Sequence, residues 1–333
     1  MDLKERLPAA TRGPARWRCA LPALAAGCTG GDDGLSVGDD PDDQVSINRG
    51  NAVEVARLVV GRGMASLSLV DLVGQGLVEP VLDPILASQF DDNVPRFECD
   101  NTQDGTVSVT LNDRDDDDLV SQNDTASLSY TNCRDLLLER TLDGATPADA
   151  AVVARLDRSP GDRVPQIPWT IGVDVELGGL TLTDPDGGAM QISGLISTSQ
   201  SSNDEQLVVR EANTIRFTFD DGSVVDTLRN VQTRFEEDTG AQTFSARMAG
   251  EMFSTGLDGV FTVETRTPLS GPLGQVPDRG ILRVEGDGGT SMQIRAVQGG
   301  TFEAELQVDE DGDGAFDDLP APIPVSWREL DFF

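Results

Sequence analysis

What most constrains this chain is the spacing of its turns. From residue 105 onward, short runs of alternating apolar and polar residues are broken by Asp/Gly clusters. Examples are Asp184-Pro-Asp-Gly-Gly188, Asp220-Asp-Gly222, Asp238-Thr-Gly240, Asp287-Gly-Gly289 and Gly299-Gly300. Such turns join antiparallel neighbours, whereas a parallel crossover needs a dozen or more residues. The expected strands are Thr106–Leu111, Ala126–Tyr130, 150–157, 168–176, 188–199, 206–219, 223–236, 242–253, 259–266, 280–286, 291–297, 301–308 and 323–328. Many read as one apolar and one polar face, as Ile215, Phe217 and Phe219 alternate with Arg216 and Thr218. The pattern predicts a mainly β protein, an antiparallel meander forming a curved sheet, an open barrel or a sandwich. The Pro/Gly-rich segment 158–167 marks a candidate division between two sub-sheets.

One stretch departs from this period. Over residues 50–76, Val53, Ala56, Val60, Met64 and Leu67 recur at steps of three and four, behind candidate caps Asn48 and Asn51. This predicts an N-terminal helix covering one opening or face of the sheet, weakened in its middle by Gly61 and Gly63. The domain reading is a helical segment at 48–90 packed on an antiparallel β domain at 91–333.

Charge narrows the function. The chain carries 58 acidic and 25 basic residues, a net charge of −33, with no histidine. Phosphate backbones repel such a surface, so no nucleic-acid partner is expected. Without histidine, the Ser-His-Asp arrangement and the commonest zinc ligand are absent. No run of 18 or more apolar residues is present.

The first residues read as an address. Lys4, Arg6, Arg12, Arg16 and Arg18 precede a short apolar run that ends in Leu24-Ala-Ala-Gly-Cys28. A basic start, an apolar run and small residues before a cut are the parts of a secretory signal, here 1–27. The last five residues resemble a bacterial lipobox, although Ala25 stands where leucine is usual. The resemblance implies that Cys28 is acylated and anchors the protein in a membrane. Residues 28–47 are rich in Gly, Asp and Ser and read as an acidic flexible tether. Thr29 after the cysteine, rather than aspartate, favours the outer membrane of a Gram-negative cell. With Cys19 cleaved away and Cys28 lipidated, Cys99 and Cys133 remain, and an exported pair predicts one disulfide.

Two aspartate loops carry the chemistry. Calcium takes six to eight oxygens, and alternate aspartates on a tight loop converge on one point. In the second loop Asp309, Asp311 and Asp313 occupy positions 1, 3 and 5. Gly314 supplies the sharp turn, Ala315 a carbonyl at position 7, and Asp317 position 9. In the first, Asp113, Asp115 and Asp117 are followed by the Leu119 carbonyl, Ser121 and Asp124 at positions 7, 9 and 12, with Asp118 where glycine is preferred. Three alternate aspartates arise by chance in so acidic a chain. The longer pattern of the second loop has a chance expectation on the order of 0.01.

Two stretches together resemble uncharacterised secreted bacterial lipoproteins. One is the strand, aspartate loop, strand and Asn-Cys run from Thr106 to Cys133. The other runs from Gly280 through Gly314 to Trp327. The resemblance implies location and β architecture and carries no activity. The expectation is a lipid-anchored, calcium-stabilised β-rich structural or binding protein of the bacterial cell envelope, not an enzyme. Its ligand is an unspecified protein, glycan or lipid. The alternatives are an envelope hydrolase acting through carboxylates and a carrier of hydrophobic ligands.

Overall fold

Residues 43–82, 96–99, 105–114, 120–134, 140–157, 162, 164–184, 187–297, 303–316 and 321–332 are described by the structure, a computed structural model. The signal segment, Cys28 and the tether to residue 42 lie outside them.

The three- and four-residue stripe forms α1 (Ala52–Leu77), followed by one turn of helix, α2 (Glu79–Leu82). The strands follow as β1 (Arg96–Glu98), β2 (Thr106–Asn112), β3 (Thr125–Arg134), β4 (Thr141–Ala145) and β5 (Ala151–Leu156). Five long strands come next: β6 (Trp169–Thr183), β7 (Ala189–Asp204), β8 (Leu207–Asp220), β9 (Val225–Asp238) and β10 (Thr243–Ser254). The series closes with β11 (Gly259–Pro272), β12 (Arg279–Glu285), β13 (Ser291–Ala296), β14 (Glu303–Asp309) and β15 (Ile323–Ser326). All belong to one antiparallel sheet running in chain order from β1 to β15, except that β5 pairs with β3 and β6 beside that path. The expected meander is therefore present. The short strands β1 and β4 carry too little alternation to have been anticipated.

The helix is not a lid. Both early strands (β2, β3) and late strands (β7, β8, β9, β14) touch α1, so the sheet curls around it. From Val59 to Leu77 every residue but Arg62 is buried. A helix buried all round lies in a core rather than on a surface. Leu67, Leu69, Leu72 and Leu77 are fully enclosed, each contributing about 1.5–3 kcal/mol. Val53, expected in the apolar stripe, is instead 40% exposed, on the outward side of a first turn whose Ala52, Val55 and Ala56 are buried. Gly63, which seemed to weaken the helix, and Gly74 let the strands approach it. A methyl at Gly63 would stand 1.8 Å from Met248 Cε, and one at Gly74 2.1 Å from Gln200 Nε2.

Two further expectations are corrected. Segment 158–167 does not divide the sheet: β5 and β6 on either side of it pair directly, Leu156 opposite Ile171. Ile215 does not share the inner face with Phe217 and Phe219. The register slips between Leu195 and Ile196, leaving Ile215 without a partner on β7. Thr214 is buried in its place and Ile215 is 56% exposed. One extra residue in a strand reverses which side chains face inward, the usual effect of a β-bulge.

Candidate metal centre

The second aspartate loop hangs between β14 and β15. Asp309, the last residue of β14, is buried at 2% exposure. Its Oδ1 accepts the Gly312 N–H and its Oδ2 the Gly314 N–H, both at 2.9 Å, so one carboxylate shapes the loop. Asp311 Oδ1 accepts from Asp313 N–H at 3.3 Å, and Asp313 Oδ1 from Ala315 N–H at 2.7 Å. Gly312 and Gly314 have φ of 72° and 84°, which glycine adopts without a steric penalty. A Cβ on Gly312 would also approach the Gly288 carbonyl oxygen to 2.6 Å. These turns bring one carboxylate oxygen each from Asp309, Asp311 and Asp313 within 4.8 Å of one another. Oxygens that share one calcium ion at about 2.3–2.6 Å lie no more than about 5.2 Å apart, a limit this cluster meets. Asp317 lies outside the described residues.

The first loop is different. Asp124 is buried at 1% exposure. Its Oδ1 accepts the Arg114 N–H at 3.1 Å and its Oδ2 the Ser121 N–H at 2.6 Å. Its carboxylate therefore closes the loop from inside. Asp115, Asp117 and Leu119 lie outside the described residues, while Asp113, Ser121 and Asp124 are described. The Asp309 loop holds the one cluster of three acids with converging oxygens among the described residues.

The Asp309 loop adjoins the point where the chain enters the body. Val45 N–H donates to Val260 O at 2.8 Å, Val260 N–H to Asp43 O at 3.0 Å, and Asp287 N–H to Val45 O at 2.8 Å. Ile47 N–H donates to Thr290 Oγ1 at 3.0 Å, and Arg49 N–H to Glu310 Oε1 at 2.6 Å. Residues 43–49 are thus stitched to the start of β11, to the turn at Asp287–Gly289 and to the aspartate loop itself.

Cys99 and Cys133 form the expected disulfide, with Cα atoms 5.3 Å apart. It sits beside the C-terminal end of α1, where Cys133 Sγ lies 3.2 Å from Gln75 Oε1. This is a contact and not a hydrogen bond, because the bridged sulfur carries no proton.

Sequence reasoning missed the polar interior. On α1, Ser66 meets Thr233 at 3.1 Å, and buried Asp71 lies 3.7 Å from Arg210, which also binds Glu237 at 2.8 Å. Arg62 donates to buried Asp226 at 2.8 Å. It also missed a concavity of about 560 Å³ on the side of β7–β11 facing away from the helix. Outward amides and hydroxyls give no sequence signal that separates them from an ordinary wet face.

Neither a protein-family model, nor a curated protein, nor a solved structure matches the chain.

Proposed function

We propose that this chain is a lipid-anchored, calcium-stabilised structural or binding protein of the bacterial cell envelope, in the outer membrane through Cys28. The observation that carries the reading is the convergence of the Asp309, Asp311 and Asp313 oxygens within 4.8 Å, beside residues 43–49, where a tether would join the body. Three carboxylates held so close repel one another, and a divalent cation offsets that repulsion. Because Glu310 of the same loop binds the Arg49 backbone, an ion there would also secure the root of the tether.

Two observations favour this reading over its alternatives. The interior of the curled sheet, where a carrier would hold an apolar ligand, is occupied by α1. Two carboxylates in the outer concavity, Glu211 and Glu264, are already engaged by Arg234 and Arg266. They belong to an ion-pair ladder and not to a free acid and base.

The test is thermal unfolding in chelator, calcium, magnesium and sodium at matched ionic strength. Calcium at 100 times its dissociation constant should stabilise the fold by about 2.7 kcal/mol. Magnesium, which keeps its waters and demands a tighter octahedron, should do less. The double variant Asp309→Ala/Asp311→Ala should lose the calcium shift, and Asp113→Ala/Asp115→Ala shows whether the first loop contributes. Sodium equalling calcium would reduce both loops to acidic turns. Labelling with a palmitate analogue should mark the wild type and not Cys28→Ala; equal labelling would remove the anchor.

A further inference from the structure

Residues 43–49 lie as a strap against the start of β11 and the turn after β12, in a seat that two glycines make. A Cβ on Gly259 would stand 2.7 Å from the Asp43 carbonyl oxygen. One on Gly286 would stand 2.1 Å from the Val45 carbonyl oxygen and 2.8 Å from Ile47 Cγ1. Gly286 has φ of −121°, an extended conformation that any residue adopts. The passage of the strap, and not the local backbone, therefore requires glycine there. Along the strap Val45 and Ile47 are buried in the core, while Gln44 and Ser46 are exposed.

The turn that holds the strap also holds the aspartate loop. Thr290 Oγ1 accepts the Ile47 N–H at 3.0 Å and donates to the Asp287 carbonyl at 2.7 Å. The next residue, Ser291, lies opposite Asp309 across β13 and β14, and its Oγ is 3.4 Å from Asp309 Oδ2. Turn and loop meet backbone to backbone. A Cβ on Gly289 would approach the Gly312 carbonyl oxygen to 3.2 Å, and one on Gly312 the Gly288 carbonyl oxygen to 2.6 Å. At its far end the strap reaches the loop directly, where Glu310 Oε1 accepts the Arg49 N–H at 2.6 Å.

We infer that the strap sets the ion affinity of the Asp309 loop: seated, it braces the loop with its carboxylates converged, and lifted, it lets them spread and hold the ion more weakly. The inference rests on the metal reading proposed above and adds how that site is regulated. Neighbouring carboxylates repel one another, so the converged form depends on what braces it from behind. The braces are the Glu310 bond to Arg49 and the turn at 286–291, and the strap is bound to both. Linkage makes the effect reciprocal: an ion that favours the converged loop favours the seated strap by the same factor. Residues 28–42 continue directly into the strap, so whatever holds that stretch acts on the ion site.

The probe is calcium itself, and two variants separate strap from loop without touching an aspartate. Gly286→Val fills the seat. Arg49→Pro removes the N–H that Glu310 accepts. It falls at the second position of the surface turn Asn48–Asn51, where proline is favoured, so it keeps the test open where Gly286→Val does not fold. Loss of the arginine charge would by itself raise calcium affinity, so a fall reads the lost contact. Calorimetry on the full chain should show calcium bound at least about fivefold more weakly in each variant. In the wild type, calcium should slow hydrogen exchange of the Val45 and Ile47 amides, both hydrogen-bonded in the seated strap. The slowing should match the factor that Gly286→Val costs in affinity. Unchanged calcium affinity in either variant would overturn the inference. So would exchange that calcium leaves unaltered, or a strap in Gly286→Val as protected as that of the wild type. Failure of calcium to bind the wild type is a separate result, which overturns the metal reading and this inference with it.

Discussion

Single residues decide which face of this sheet is wet and where charge is buried. Ile215 shows the limit of reading alternation. Nothing in Thr214-Ile-Arg-Phe217 announces that the strand gains a residue, and the bulge is visible only through its partner strand. Asp309 shows the reverse, because the two-residue spacing of aspartates and Gly314 are visible in the sequence, and the carboxylates of Asp309, Asp311 and Asp313 do come together. Asp331 could not have been singled out by pattern. It lies in the C-terminal segment with Trp327, Leu330 and Phe332, all three fully buried, and its Cβ faces Gly61 of α1. Asp331 itself is exposed, yet partial desolvation of its carboxyl pushes it above the usual range. Arg57, Arg140 and Arg62 pull the other way, Asp184 adds to the rise, and solvent screening keeps the effect on stability small. A carboxyl raised in the folded state contributes stability at pH below its unfolded value and loses it as pH rises through the folded value. Asp331→Asn, which fixes the neutral form, should therefore unfold at a higher urea concentration than the wild type at pH 7. The advantage should vanish near about pH 3, where the wild-type carboxyl is also neutral. A midpoint difference that did not change with pH would remove the titration from the explanation.

At the level of elements, α1 was legible as a helix and illegible as a core. Ala56, Val60, Met64 and Leu67 mark one face. Ser66, Ser68, Asp71 and Gln75 look like the wet side of an amphipathic helix, yet all four are buried. They are tolerated because partners come from distant strands: Thr233 for Ser66 and Arg210 for Asp71. A single sequence does not display partners some 140–170 positions away. The disulfide was legible because elimination left two cysteines. It holds β3 to the residue after β1, and Cys133 touches α1 through Gln75. In the chain-entropy model a crosslink over a loop of this length is worth roughly 3–4 kcal/mol. The paired substitution Cys99→Ser/Cys133→Ser should lower the denaturation midpoint accordingly, with the largest gain in hydrogen exchange over β1–β3. An unchanged midpoint would assign the bridge no share in stability.

Across the whole molecule, chain order and spatial order oppose each other. The helix is the first element and lies at the centre, while β14, one of the strands that encloses it, begins some 225 residues after its end. Folds dominated by such distant contacts are slow, because loop closure precedes the contacts that compensate for it. Refolding from denaturant should take seconds or longer. A chain ending at residue 302 loses β14, β15 and the Trp327 segment, exposes the side of α1 that β14 covers, and should show no cooperative thermal transition. A sharp transition near the wild-type midpoint would mean that the earlier strands suffice. The antiparallel meander followed from turn chemistry alone; its curl around a helix did not, because curvature arises from bulges and from glycines such as Gly63 and Gly74. The seating of residues 43–49 has a mechanical consequence. Tension on the chain ahead of Asp43 reaches the body first through a few backbone bonds to Val260 and Asp287, and then through Thr290 and Glu310. These bonds bridge the ends of three separate hairpins, so a pull is shared among them before it loads α1. Residues 43–49 would act as a strain relief, yielding or holding ahead of the core.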